Sequence, residues 1–312
     1  MMDVRAVAAD DKSQIIQIVI WFVCIVAVFS VGARMGTKYI MTRKLAWDDW
    51  LMLIAQVTYL AQCISISLGA SQGLGKPDTA LSNEAIDNFL KAEYASTAFL
   101  ILTLALIKWS ISVFIQHLSP GTMHQRLDNV LRIIVGLWLL SAMLASLFEC
   151  AIPAPWDYIN GAQCIDRRAW WTYVSVVNVI TEVFIITLYT IIIGKIQISR
   201  LRRAIVISIF SLRLLVIGIV IAQLVIFLDE FPGSGLTGSS WLPVVLNQIV
   251  LGLSVVTACA PYLKPFMESL ESSIVRVETI PGSEEELSGD RIGLGGYYSN
   301  NLSNSTACSS HR

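Results

Sequence analysis

The feature that most constrains this chain is a series of seven long apolar runs, each about as long as a membrane is thick. A helix needs roughly 20 mostly apolar residues to cross the hydrocarbon core of a bilayer. Seven stretches meet this length: 15–33, 51–70, 94–116, 130–148, 169–193, 204–228 and 241–263. Within lipid every backbone amide needs an internal partner, so these runs predict helices. The runs are continuous rather than alternating, which argues against a transmembrane β-barrel.

Composition supports the same class of protein. The chain is 55% hydrophobic and only 14% charged, whereas a soluble domain carries about 25% charged residues. We therefore predict an all-α membrane protein, a bundle of seven transmembrane helices. The net charge of −1 does not indicate a nucleic-acid partner. With three histidines in the chain, we expect no metal site, no cofactor and no enzyme activity.

The orientation follows from the lysine and arginine residues, which favour cytoplasmic loops. With the N-terminus outside, ten lie inside: Arg34, Lys38, Arg43, Lys44, Arg126, Arg132, Lys195, Arg200, Arg202 and Arg203. Six lie outside: Arg5, Lys12, Lys76, Lys91, Arg167 and Arg168. We therefore expect a short extracellular N-terminus (1–14), a membrane domain (15–267) and a disordered cytoplasmic tail (268–312).

A short loop bracketed by two cysteines follows the fourth run and reads CAIPAPWDYINGAQC, residues 150–164. The orientation above places this loop on the lumenal or extracellular side, where disulfides persist. A Cys150–Cys164 bridge would close a loop of about 15 residues and stabilise the fold by roughly 3 kcal/mol. Two unpaired thiols are the alternative, and compartment and loop position favour the bridge.

Three charged residues fall inside apolar runs. Lys108, Glu182 and Arg213 lie on three helices, each about 12–17 Å from the cytoplasmic face at 1.5 Å per residue. Charges at this depth are costly and face the bundle interior, so they are candidates for a functional site. Their similar depth predicts one cluster with Glu182 between the two cations. A structural ion-pair network is favoured over a ligand site.

A second set of polar residues lies in the outer half of the bundle. Together with a loop tryptophan, these residues are a candidate outer pocket below the cysteine loop: Trp156, Asn178, Gln223, Asn247 and Gln248. Neutral polar side chains often form hydrogen bonds between membrane helices, and that alternative is favoured over a pocket.

The motif WDDW at 47–50 opens the second apolar run. Asp48 and Asp49 can cap the free amides of the helix and meet the positive end of its dipole. Arg43 and Lys44 are close enough in sequence to pair with them. The aromatic members suit the headgroup layer, so we expect an anchor at the cytoplasmic face: Trp47 and Trp50.

Several local motifs occur in a characteristic order: LAWDDWLML (45–53), LALIKWSISVF (104–114), GAQCID (161–166), VNVITEVFI (177–185) and ACAPYLKPF (258–266). In this combination the chain resembles the fungal rhodopsin-like integral membrane proteins. That family includes Pth11-like receptors and the integral membrane protein of the satratoxin gene cluster. The resemblance covers roughly residues 40–268 and implies a seven-helix receptor-like fold.

The chain departs from the pattern of that family at several polar positions. The carboxylate, arginine, glutamate and asparagine that relatives carry in helices 3, 6 and 7 are replaced here by Thr97, Gln223, Val250 and Gly252. Any role that these groups have in relatives is then lost or altered. Helix 7 contains no lysine in its middle, so we expect no retinal. The Asp-Arg-Tyr and Asn-Pro-x-x-Tyr motifs of rhodopsin-type receptors are also missing.

The sequence leaves three functional hypotheses. The first is a receptor-like sensor of an external small molecule or surface cue, with a cytoplasmic signalling partner. The second is an accessory membrane protein of a secondary-metabolite gene cluster, which serves transport, tolerance or scaffolding. The third is a transporter. All three place the chain in a lipid bilayer, either the plasma membrane or an endomembrane.

Overall fold

The computed structural model describes residues 13–43, 46–72, 82–118, 122–159, 163–195, 200–230 and 241–278, and these residues contain seven helices and no strand. In chain order the helices are α1 (Ser13–Thr42), α2 (Trp47–Gln72), α3 (Asn83–Leu118), α4 (Thr122–Leu147), α5 (Arg167–Lys195), α6 (Arg200–Glu230) and α7 (Trp241–Glu278). Each contains a stretch long and apolar enough to cross a membrane. The predicted seven-helix membrane bundle is confirmed.

Most of the helices extend well beyond the apolar runs that predicted them, because polar residues at their ends cap and continue them. The Ser82 hydroxyl accepts a hydrogen bond from the Ala85 amide at 3.3 Å, just before α3. Oδ1 of Asp166 accepts from the amides of Arg168 and Ala169 at the start of α5. Such caps satisfy amides of the first turn that have no partner within the helix.

Helix α3 has the most buried apolar span of the seven, with 67% of its residues buried. Polar contacts join it to its neighbours, for example the Thr103 hydroxyl, which donates to Oγ1 of Thr58 on α2 at 2.8 Å. The outward surface of the bundle is apolar, as Phe22, Phe29 and Leu137 show by their exposure. An apolar exterior around a polar-bridged interior is what a lipid environment favours.

Glycine is required at one close approach between helices. A Cβ atom at Gly252 of α7 would overlap Cγ1 of Val23 on α1 and lie 3.4 Å from the Tyr59 hydroxyl of α2. Small residues allow membrane helices to pack closely in this way. The asparagine that the family pattern has at this position would therefore not fit against Val23.

Helix α7 continues to Glu278, eleven residues into the predicted disordered tail. Leu270–Glu278 belongs to a separate unit from the bundle. Residues 1–12 and 279–312, which hold most of the predicted N-terminal segment and the rest of the tail, lie outside the described residues.

Candidate functional site

The three charged residues predicted inside the membrane span are in contact. Oε1 of Glu182 on α5 lies 2.6 Å from Nζ of Lys108 on α3, and its Oε2 lies 2.6 Å from Nη1 of Arg213 on α6. All three side chains are almost fully buried. We name Lys108, Glu182 and Arg213 the core triad. The structure thus brings together the predicted cluster, with Glu182 between the two cations.

The cysteine loop forms a lid over one end of the bundle, which we call the lid end; the opposite end is the base end. Cys150 and Cys164 form the predicted disulfide. The two chain segments at the bridge are also joined by backbone hydrogen bonds. The Ala151 amide donates to the Gln163 carbonyl, and the Ile165 amide donates to the Glu149 carbonyl. The loop is therefore closed both covalently and by main-chain contacts.

Aromatic residues of the lid bind the start of α3. Nε1 of Trp156 donates to Oδ1 of Asp87 at 2.9 Å, and Nζ of Lys91 lies 5.1 Å from the centre of the Trp156 ring. The Tyr158 hydroxyl donates to Oε2 of Glu93 at 2.9 Å. Burial raises the pKa of Tyr158, which keeps this hydroxyl protonated as a donor.

One arginine links the lid to two carboxylates. Nη2 of Arg167, the first residue of α5, lies 2.9 Å from Oε1 of Glu93, and its Nε lies 2.6 Å from Oε1 of Glu149. The guanidinium also stacks on the Tyr158 ring at 3.6 Å. We name Glu93, Glu149, Tyr158 and Arg167 the lid network. Burial raises the pKa of Glu149, and this effect exceeds the opposing attraction of Arg167.

The lid network and the core triad share a register on α3 and α5. Glu93 and Lys108 are fifteen residues apart on α3, and their partners Arg167 and Glu182 are fifteen residues apart on α5. The two helices therefore run parallel, with ion pairs about 22 Å apart at 1.5 Å per residue. The pair formed by Glu93 and Arg167 is not predicted from the sequence, although the equal spacing is visible once α3 and α5 are taken as neighbours.

A second buried ion cluster lies on the other side of α3. Nη2 of Arg34 on α1 lies 2.7 Å from Oδ2 of Asp48, and Nζ of Lys38 lies 2.8 Å from Oδ2 of both Asp48 and Asp49. These two cations and two carboxylates form what we name the base cluster. The Arg34 guanidinium also donates to the Ala258 carbonyl of α7 and to the Ser110 hydroxyl of α3.

The base cluster adds partners of the WDDW motif that the sequence did not predict. Arg43 is exposed, and the predicted pairing of Lys44 lies outside the described residues. Arg34 and Lys38 pair with the aspartates, because α1 extends to Thr42 and residues four apart share one helix face. Oδ2 of Asp49 also accepts a hydrogen bond from the Ala46 amide, a capping contact at the start of α2.

The tryptophans of the same motif point away from the bundle. The exposed fractions are 80% for Trp47 and 54% for Trp50, while the aspartates between them are buried. Exposed indole rings at the end of a spanning helix fit the headgroup layer of a bilayer. Their role as an anchor stays a prediction.

Three members of the predicted outer pocket contact different partners. Gln248 donates to Oε1 of Gln62 at 2.8 Å, and the backbone carbonyl of Asn178 accepts from Lys108 at 3.3 Å. Trp156 is held by Asp87, and none of the described pockets is lined by Gln223 or Asn247. The Gln248 contact is of the interhelical kind that the sequence favoured, and the outer pocket stays a prediction.

Among the described residues no group of three histidine, cysteine, aspartate or glutamate side chains is arranged to hold a metal ion. Cys24, Cys63 and Cys259 are free and buried within helices. Besides the lid network, the core triad and the base cluster, the described bundle holds an Asp128–Arg132 ion pair on α4 with the Asp128 side chain buried.

Seven spanning helices around buried ion networks define an integral membrane protein of the seven-helix class. Residues 33–269 match the fungal rhodopsin domain, and the chain belongs to that family. A relative from Metarhizium anisopliae, described as polyenoic acids biosynthesis gene cluster protein Ba17b, is 25% identical over 169 residues. The match covers 52% of this chain and 46% of that protein, so it spans about half of the relative's length.

Proposed function

We propose that this protein is a receptor-like sensor of an external small molecule or surface cue, with the lid end and N-terminus outside and the base end in the cytoplasm. The observation that supports this proposal is the position of α3. This helix carries Glu93 in the lid network, Lys108 in the core triad and Ser110 at the base cluster. A movement of α3 at the lid therefore acts on both buried clusters.

Signal transfer in this proposal is a rearrangement of ion pairs. A ligand at the lid that competes for Tyr158 or Arg167 weakens their contacts with Glu93. Displacement of α3 then strains the contact of Ser110 with the Asp48 carbonyl and with Arg34. Because Arg34 also holds Ala258, the base ends of α1, α2 and α7 shift together and change the surface offered to a partner.

The test is a fluorescence reporter at the base end. Tyr39, exposed on α1 next to Lys38, is replaced by cysteine and labelled with bimane in a Cys308→Ser background. Sugars, amino acids, short peptides, monocarboxylic acids and polyketides are added to the protein in nanodiscs. We expect a saturable change in emission with at least one compound. No change with any class would overturn the proposal.

A second function is favoured by the relative from Metarhizium anisopliae, whose printed name assigns it to a polyenoic acids gene cluster. An accessory role would be transport, tolerance or scaffolding for such a pathway. In liposomes, a compound that changes the bimane emission is retained outside if the protein is a sensor. Uptake of the same compound, or loss of resistance to it after gene deletion, would favour the accessory role.

A further inference from the structure

The core triad is not electrically balanced. It contains two cations and one carboxylate, and among the described residues no second carboxylate pairs with Lys108 or Arg213. The base cluster, by contrast, pairs two cations with two carboxylates. An uncompensated charge in an apolar interior is strongly unfavourable unless a counter-charge accompanies it. With both cations protonated, the triad has one positive charge for which the described residues supply no counter-charge.

The guanidinium of Arg213 also has an unused edge. Its Nη1 donates to Glu182, whereas Nε and Nη2 are buried and have no hydrogen-bond partner among the described residues. Nε–H and Nη2–H project from the same edge of the guanidinium plane, in the geometry that binds both oxygens of a carboxylate. Buried donors of this kind require an explanation such as a bound ion. The unused donors and the missing charge lie on the same residue.

We propose that Arg213 anchors a buried binding site for a monocarboxylate with an apolar chain. One carboxylate supplies the single negative charge and the two oxygens that the open edge of Arg213 fits. A phosphate dianion would exceed the charge of the triad, and an apolar chain suits the surrounding core. This inference rests on the proposed function in that it names the class of small molecule sensed.

In this proposal the monocarboxylate enters between α5 and α6. A crevice of roughly 620 Å³ opens at their lid ends and is lined by Tyr173, Val176 and Leu228, among others. Val176 is six residues from Glu182, about 9 Å along α5. Because the open edge of Arg213 is enclosed, binding separates α6 from α5, and this displacement is the response that a sensor needs.

The test measures equilibrium binding of radiolabelled octanoate to the full chain in phosphatidylcholine nanodiscs, corrected with empty nanodiscs. Unlabelled octanoate, octanol and octylamine compete for the site, and they share one apolar chain with a negative, neutral or positive head. We expect saturable binding that only octanoate displaces. Absence of saturable binding, or equal displacement by octanol, would overturn the site.

Three variants locate the bound carboxylate. Arg213→Gln leaves Lys108 and Glu182 as a balanced pair, so the fold is retained and octanoate binding weakens about tenfold to a hundredfold. Arg168→Gln removes an exposed arginine that lines the crevice and donates to the Leu228 carbonyl of α6, so it is the surface control, and octanoate binding is not weakened. Equal loss in both variants would place the carboxylate at the surface and overturn the proposal.

Glu182→Gln should not weaken octanoate binding, in contrast to Arg213→Gln. Removing the competing negative charge makes the site more positive, so octanoate binds at least as tightly as to the wild type. If Arg213 served only to neutralise Glu182, both variants would behave alike, and parallel loss would contradict the site.

Octanoate binding without a bimane response supports the site and contradicts the sensor. The opposite result is a protein that does not bind octanoate but shows a bimane response to another compound, and keeps that response in Arg213→Gln. It would support the sensor and contradict the site.

Discussion

Nη1 of Arg213 donates a hydrogen bond to Oε2 of Glu182 at 2.6 Å, which joins α6 to α5 inside the apolar core. The other oxygen of Glu182 holds Lys108 of α3, so one carboxylate connects three helices. A buried carboxylate with two cationic partners is a position where truncation has a large effect, because it leaves unpaired charges in the interior.

Glu182→Ala should destabilise the folded protein by about 3–5 kcal/mol, since both cations lose their partner. Glu182→Gln keeps an oxygen acceptor of the same length and should lower the folded yield less. The measurement is the yield of monodisperse protein in detergent, together with its thermal unfolding midpoint. Arg213→Gln, which leaves a balanced pair, should be milder than Glu182→Ala. Wild-type behaviour of both Glu182 variants would show that the core triad contributes nothing.

The disulfide should contribute roughly 3 kcal/mol, the chain-entropy value for a loop of about 15 residues. Cys150→Ser and Cys164→Ser should each lower the unfolding temperature and change the mobility on non-reducing gels. The double variant should be no less stable than the single ones, because each already removes the bridge. Unchanged mobility, together with six rather than four free thiols in the denatured wild type, would show that no bridge forms.

Arg34→Gln should destabilise the protein by several kcal/mol, about the 3–5 kcal/mol expected for breaking a buried pair. The change removes the guanidinium from Asp48 and Asp49 and frees the Ala258 carbonyl. Arg43→Gln is the control, because this arginine is exposed and its loss should stay within about 0.5 kcal/mol. A reversed order of the two effects in thermal unfolding would restore Arg43 as the partner of the motif.

Gly252→Ala should cost about 1–3 kcal/mol, because the added Cβ overlaps Cγ1 of Val23. Val23→Ala removes the overlapping atom and should restore part of this loss in the double variant. The coupling is read from thermal unfolding of the two single variants and the double variant. Strictly additive effects would contradict the close approach of α1 and α7.

Stability should increase as the pH falls toward the range in which Glu149 binds a proton. Its folded-state pKa is raised by burial, so the folded protein holds this proton more tightly than the unfolded chain does. The stabilisation that the bound proton provides is complete below the unfolded-state pKa of about 4.3. It is lost as the pH rises through the raised folded-state pKa of Glu149.

This pH effect is measured as the difference in unfolding temperature between the wild type and Glu149→Gln from pH 4 to pH 8. Glutamine cannot titrate, so the wild type should gain stability relative to the variant as the pH is lowered. Glu93 and Arg167 are present in both proteins, so the difference reports the titration of Glu149 together with its coupling to these two neighbours. A constant difference across this range would remove Glu149 as the titrating group.

The sequence contains enough information to predict the helices and the core triad. The length of each apolar run identifies a spanning helix, and the rise per residue gives the depth of each charged residue in the membrane. Lys108, Glu182 and Arg213 could be matched from these two quantities alone. The partners of Asp48 could not, because counting charges by loop assigns Arg34 to a loop that is in fact helical. How far a helix continues past the apolar run depends on contacts that its own sequence does not show.

The pair formed by Glu93 and Arg167 was missed for a related reason. These residues come from helices that are not consecutive in the chain, and their contact depends on the relative register of α3 and α5. The outer pocket stays a prediction, because the depth of its polar members does not show which face of a helix they occupy. Gln248 accordingly lies against Gln62 of α2.

The most direct test of the proposed coupling is a distance between two base-end positions while a lid contact is broken. Spin labels at Tyr39→Cys on α1 and Met123→Cys on α4, both exposed, report this distance by double electron–electron resonance. Arg167→Gln breaks the contacts with Glu93 and Glu149, and Arg168→Gln is the adjacent control. We predict a shifted distance distribution in the folded Arg167 variant and none in the control. An unshifted distribution in a folded Arg167 variant would contradict transmission from lid to base through α3.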